Sequence, residues 1–150
     1  MIEGRLEQDL KAALLARDKT RVTILRGLKS VLLDAKVAHG TRGVTMPDEQ
    51  VIALFAKEAK NRQESADLYK QGGSQARADA ELFEKTVIEE YLPRQLSDEE
   101  IGVIVDRIIA ASDSVSKPAM GTVIGAVKRE TKGAADGATI ARIVKDRLGK

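Results

Sequence analysis

Apolar residues recur every three or four positions along almost the whole chain, the spacing of one face of an α-helix, and strand signals are almost absent. Leu6, Leu10 and Leu14 make the first stripe, in a segment ending near Asp18. A longer helix is predicted over Lys19 to His39, with Val22, Leu25, Leu28 and Leu32 on one stripe, until Gly40-Thr41-Arg42-Gly43 breaks it. Thr45 is placed to cap a third helix, with Pro47 and Asp48 in its first turn and Gly72-Gly73 past its end. Its stripe is Val51, Leu54, Phe55 and Leu68, with Ala59 and Ala66 between them. A fourth helix runs from about Ser74 to Tyr91, where Leu92-Pro93 stops it. Short loops suit an antiparallel arrangement of these four.

Ser97-Asp98-Glu99-Glu100 reads as a capping box ahead of Ile101, Ile104, Val105, Ile108 and Ile109, the buried stripe of a fifth helix. Ser112 to Ser116 read as a polar linker, and Pro118 is placed to begin a sixth helix. Ile140, Ile143, Val144 and Leu148 line the seventh. The expected fold class is therefore all-α: a four-helix N-terminal domain, residues 1–94, then a small three-helix C-terminal domain, residues 95–150. A module that small, without metal or disulfide, is near the lower limit for folding alone.

The chain has no cysteine, which removes disulfides, thiolate metal ligands and thiol nucleophiles together, and makes a reducing cytoplasm the simplest home. No apolar run is long enough to span a bilayer and no signal-peptide pattern opens the chain, so no membrane partner is expected. Residues 2–5, Ile-Glu-Gly-Arg, coincide with a protease site used in expression vectors, but they run directly into a helical pattern and are read as native.

The net charge of +2 conceals an uneven distribution. Met1 to Met46 carries nine basic and five acidic residues, and Pro47 to Leu96 seven basic and ten acidic. From Lys117 onward eight basic residues face only Glu130, Asp136 and Asp146, which makes this end the electropositive one. There two helical patterns meet at a turn: Gly133 is placed to end the first and Asp136 to cap the second. Lys128, Arg129, Lys132, Arg142 and Lys145 surround it as candidate phosphate contacts, with Gly121, Gly133 and Gly137 allowing close backbone approach. Gly121 and Gly125 share a helix face at about 1 kcal/mol each against alanine, so a close helix crossing or a close RNA backbone should offset them.

Other constellations read more simply as structure. His39, the single histidine, fits a helix C-terminus. Glu89 and Glu90 are adjacent rather than four apart, with no histidine near, and no metal or cofactor is expected. Glu81 with Glu84, and Glu58 with Arg62, suit surface ion pairs, and no catalytic residue is assigned. The Lys57, Lys60, Arg62 and Arg26, Lys29 clusters suit solvated helix faces. With four aromatics in all, no stacking platform is evident, so RNA contact would run through shape and phosphate.

Leu25-Arg26 with Lys29-Ser30, Lys60-Asn61-Arg62-Gln63-Glu64-Ser65, Tyr91-Leu92-Pro93-Arg94-Gln95-Leu96-Ser97, Met120-Gly121, and Lys132-Gly133 through Ala135-Asp136-Gly137 occur in that order. Together they resemble the GatB/YqeY family, and the extent of the match favours its free-standing YqeY-like type. That family is related to the tail of the B subunit of tRNA-dependent Asp/Glu amidotransferases. The resemblance implies two helical domains and a tail that contacts tRNA outside the catalytic centre. Its carbon–nitrogen ligase activity, with glutamine as amide donor, attaches by association only, and no catalysis by this chain alone is expected. tRNA is the implied partner; docking to amidotransferase subunits or an aminoacyl-tRNA synthetase is the alternative. Lys85 departs from the family pattern, standing where an apolar residue is usual.

Overall fold

A computed structural model describes residues 1–112 and 119–149. Their regular structure is entirely helical: α1 (Ile2–Leu15), α2 (Lys19–Ala38), α3 (Asp48–Gln71), α4 (Gln75–Glu89), α5 (Asp98–Ala110), α6 (Met120–Thr131) and α7 (Gly137–Leu148). Pro118 and the linker beyond Ser112 lie outside the described residues. Among those described, no helix is long and apolar enough to cross a membrane. The chain forms two compact units, Met1–Leu92 and Pro93–Lys150.

In the first unit, Leu6 and Leu10 of α1, Leu25 and Leu28 of α2, Val51 and Phe55 of α3, and Val87 and Ile88 of α4 share one core. Phe55 is completely buried, contributing about 2–3 kcal/mol by area. It meets Tyr91 edge-on, with ring centroids 5.8 Å apart. The Tyr91 hydroxyl donates to Asp9, and the Arg5 guanidinium lies 4.7 Å above its ring. Burial first, and then the Asp9 carboxylate, hold the Tyr91 phenol above its ordinary pKa. Beyond this core α3 and α4 continue together through the fully buried Ala66 and Ala78, whose small side chains let the backbones approach.

Several positions depart from the periodic reading. α1 stops at Leu15, and Asp18 begins α2 instead, its carboxylate accepting the Arg21 N–H at 3.1 Å. Leu14 and Leu68 were placed on apolar stripes but are 47% and 67% exposed; on α3 it is Ala66, on another face from Leu68, that is fully buried. Thr45 does not cap α3; Pro47 occupies the cap position without a side-chain bond. Asp48 accepts the Ile2 N–H at 2.8 Å, across the unit. Next to it, Glu3 pairs with the buried Lys36 and accepts the Met46 N–H at 2.8 Å. Burial opposes ionisation of Glu3, but those two bonds and the Lys36 charge outweigh it and hold its carboxyl below the ordinary value.

In the second unit, α5, α6 and α7 enclose Ile101, Val105, Val123, Val127, Ile140, Ile143 and Val144, an entirely aliphatic core. The capping box is formed: Ser97 Oγ accepts the Glu100 N–H, and Glu100 Oε2 accepts the Ser97 N–H. Arg94 adds a two-pronged bond to the same carboxylate, which lowers the Glu100 pKa ahead of the Ser97 contribution. Ile104, Ile108 and Ile109 lie partly buried against the core. All four aromatic residues fall in the first unit.

Candidate nucleic-acid interface

α6 buries Val123, Val127 and Thr131, which turns Lys128 and Arg129 outward in its last turn. Cations suit that end, where the helix dipole is negative. The helix closes one residue earlier than glycine placement alone suggests. Lys132 is the left-handed cap, at φ 45° and ψ 50°, and Gly133 follows at φ 87°. An L-residue in that conformation costs roughly 1–2 kcal/mol, so the turn carries a cation where glycine would relieve strain. Asp136 caps α7 as its position implied, accepting the Thr139 N–H at 3.2 Å.

The turn is held from outside its own sequence. Gln95 donates to the Gly133 carbonyl at 3.2 Å, and the Leu96 N–H donates to the Ala134 carbonyl at 2.8 Å. Two of the sequence motifs therefore meet here, Pro93 to Ser97 and Lys132 to Gly137. Nothing in the local pattern of either segment signals this pairing.

The candidate glycines separate. Gly133 needs its positive φ. A Cβ on Gly137 would meet Lys128 Cε at 3.3 Å and Nζ at 3.4 Å, so the missing side chain makes room for Lys128. That brings an ammonium to the start of α7, where the Gly137 and Ala138 N–H groups have no acceptor among the described residues. Gly121 faces open space, and Gly125 meets only the Arg129 guanidinium of its own helix. No helix crossing offsets these two glycines among the described residues.

The basic residues separate as well. Arg142 pairs with Asp98 at 2.7 Å, Arg147 pairs with Asp106, and Arg107 pairs with Glu130. The Arg147 guanidinium also lies over Gly102 on α5, 2.5 Å from where a Cβ would sit. The acids of α5 thus offset much of the asymmetry read from Lys117 onward. Lys128, Arg129, Lys132 and Lys145 have no ion-pair partner among the described residues. Arg142 is 55% exposed and Asp98 59%, an ion pair worth about 0–1 kcal/mol, so a phosphate can displace the acid.

In the first unit Lys29 pairs with Glu7 at 2.8 Å, while Arg26, Lys57 and Lys60 are exposed with no ion-pair partner among the described residues. Arg62 gathers Glu58, Glu81 and Glu84 within 3.1 to 3.6 Å. Lys85 donates to Gln63 at 2.9 Å, so its charge has a polar partner on α3. His39 is the exposed C-cap of α2. Among the described residues no group of three His, Asp or Glu side chains is placed to hold a metal ion.

Comparison with known families bears on this geometry. The sequence model of a family described as Yqey-like protein matches residues 3–148, nearly the whole chain, and the chain belongs to that family. No curated protein matches it.

Proposed function

We propose that this YqeY-like protein is a non-catalytic tRNA-binding module associated with tRNA-dependent amide transfer, and that it holds RNA through the Lys132–Asp136 turn. The observation that carries the reading is the sorting of charge around that turn. Arg107, Arg142 and Arg147 are committed to acids, while Lys128, Arg129, Lys132 and Lys145 are free among the described residues. The second unit has no aromatic side chain to serve as a stacking platform for bases. The contacts are to phosphates, with Arg142 joining when it releases Asp98.

Four such contacts, or five with Arg142, correspond to a slope of about −3 to −4.5 in log K against log salt. A fourfold rise in salt then weakens binding by roughly two orders of magnitude. Titration of tRNA into the purified chain at several salt concentrations tests this. Lys128→Glu with Lys132→Glu is expected to abolish most of the binding and flatten the slope. Absence of binding at low salt, or a double variant that binds like the parent, rejects the proposal.

One observation favours docking to an amidotransferase or synthetase instead: Leu68 and Phe83, on α3 and α4, are 67% and 52% exposed. Co-purification that survives nuclease and is lost with Leu68→Ser would support it.

A further inference from the structure

α1 ends on two adjacent leucines that are largely open to solvent. Leu14 is 47% exposed and Leu15 87%, the highest value for any large apolar side chain among the described residues. A lone surface leucine means little. Three cations lie near these two in sequence, with one acid between them. Lys11 precedes them by one helical turn, at the spacings that share a helix face. Arg17 and Lys19 follow across the short turn into α2. None of the three has an ion-pair partner among the described residues. Asp18, the acid between them, accepts the Arg21 N–H, and the four residues together leave a net charge of +2 at this corner. Arg17 is left-handed at φ 55°, so the corner retains a cation where glycine would be less strained.

We propose that this corner is a peripheral membrane contact, in which Leu14 and Leu15 enter the headgroup–acyl boundary of an anionic bilayer while Lys11, Arg17 and Lys19 lie against lipid phosphates. Two signals of this kind, an apolar anchor and a basic rim, are what reversible surface binding needs, and no spanning helix is involved. The leucines stand at the end of a helical hairpin rather than in a groove, which suits insertion into a planar apolar layer. Charge complementarity selects anionic over neutral lipid.

The chain contains no tryptophan, so Leu15→Trp in the full protein places a single indole at the proposed insertion point. On vesicles of phosphatidylcholine with phosphatidylglycerol, its emission should shift to the blue and be quenched by brominated acyl chains. On phosphatidylcholine alone it should do neither. Neutralising Lys11, Arg17 and Lys19 to Gln should weaken partition roughly fivefold per charge. Lys128→Gln with Lys132→Gln should leave the quenching at saturating lipid intact, which separates this contact from the RNA-binding turn. An indole that stays in water on anionic vesicles overturns the proposal, even if the protein sediments with them. So does an equal shift on neutral vesicles. The first result leaves an acidic protein groove as the occupant of this corner, and the second a purely apolar contact without charge selection.

Discussion

Replacing Lys132 with glycine should make the second unit more stable and its RNA binding weaker. Lys132 sits at φ 45° with an exposed side chain and no partner among the described residues, so the substitution removes no packing and no ion pair. Relief of the left-handed conformation is worth roughly 1–2 kcal/mol. Glycine's larger loss of backbone freedom takes back about 0.5–1 kcal/mol, leaving a net gain of about 0.5–1 kcal/mol. For a unit this small that is a rise of about 2–8 °C in melting temperature. Losing one phosphate contact should reduce the salt slope of tRNA binding by about 1. Far-ultraviolet circular dichroism of the full chain measures the first effect, and salt-titrated binding the second. Lys132→Asn is the companion variant, since asparagine tolerates the left-handed region without the charge. It should lose the same binding with a smaller gain in stability. A glycine variant no more stable than the parent would refute the strain argument. A stabilised variant that binds tRNA unchanged would show that the turn serves folding alone.

Ser97→Ala removes the acceptor for the Glu100 N–H and should cost the second unit about 1 kcal/mol, measured by urea denaturation. Glu3→Gln should cost the first unit about 2–3 kcal/mol, somewhat less than the loss of a fully buried pair, because Lys36 is left buried without its counter-charge. The parent's Glu3 is held below 4.5, so its contribution is complete above that pH and is lost as pH falls through the folded-state value. Stability of Glu3→Gln should be correspondingly flatter across that acid range, and equal pH profiles would contradict the pairing. A protease specific for Ile-Glu-Gly-Arg should cleave the native chain slowly and at a rate that follows unfolding. Glu3 is held by Lys36, and Arg5 donates to the Glu90 carbonyl at 2.9 Å. Rapid cleavage of the folded protein would show that this end of α1 opens independently.

Helix class was legible because it rests on local rules. The Val51–Phe55–Ala59 stripe, the Ser97–Glu100 box and the Asp136 cap are each decided within a few residues, and each is formed. Errors arose where a distant partner decides. Leu14 and Leu68 are apolar residues at helical spacing from their neighbours, but spacing alone does not show which face a partner helix covers, and at the end of α3 it is the face of Ala66. Asp48 stands in the first turn of α3 as its position implied, but its bond to the N–H of Ile2, across the unit, is not visible in the local pattern. The candidate site shows the same division. Its turn and cap were visible, but the pairing of Arg142 with Asp98 and the hold of Gln95 on Gly133 join segments far apart in sequence. Counting charge along the chain could not reveal that α5 supplies acids to α7.

The confinement of aromatic residues to Met1–Leu92 divides the protein spectroscopically. Tyr69 and Tyr91 report only on the first unit, whereas backbone circular dichroism reports on both. Tyr91 is buried against Phe55 and bonded to Asp9, so its environment changes when that core opens. Denaturation followed by tyrosine emission and by ellipticity therefore yields two curves whose separation measures how independently the units unfold. Stabilising the aliphatic unit through Lys132 should move the second curve and leave the first in place.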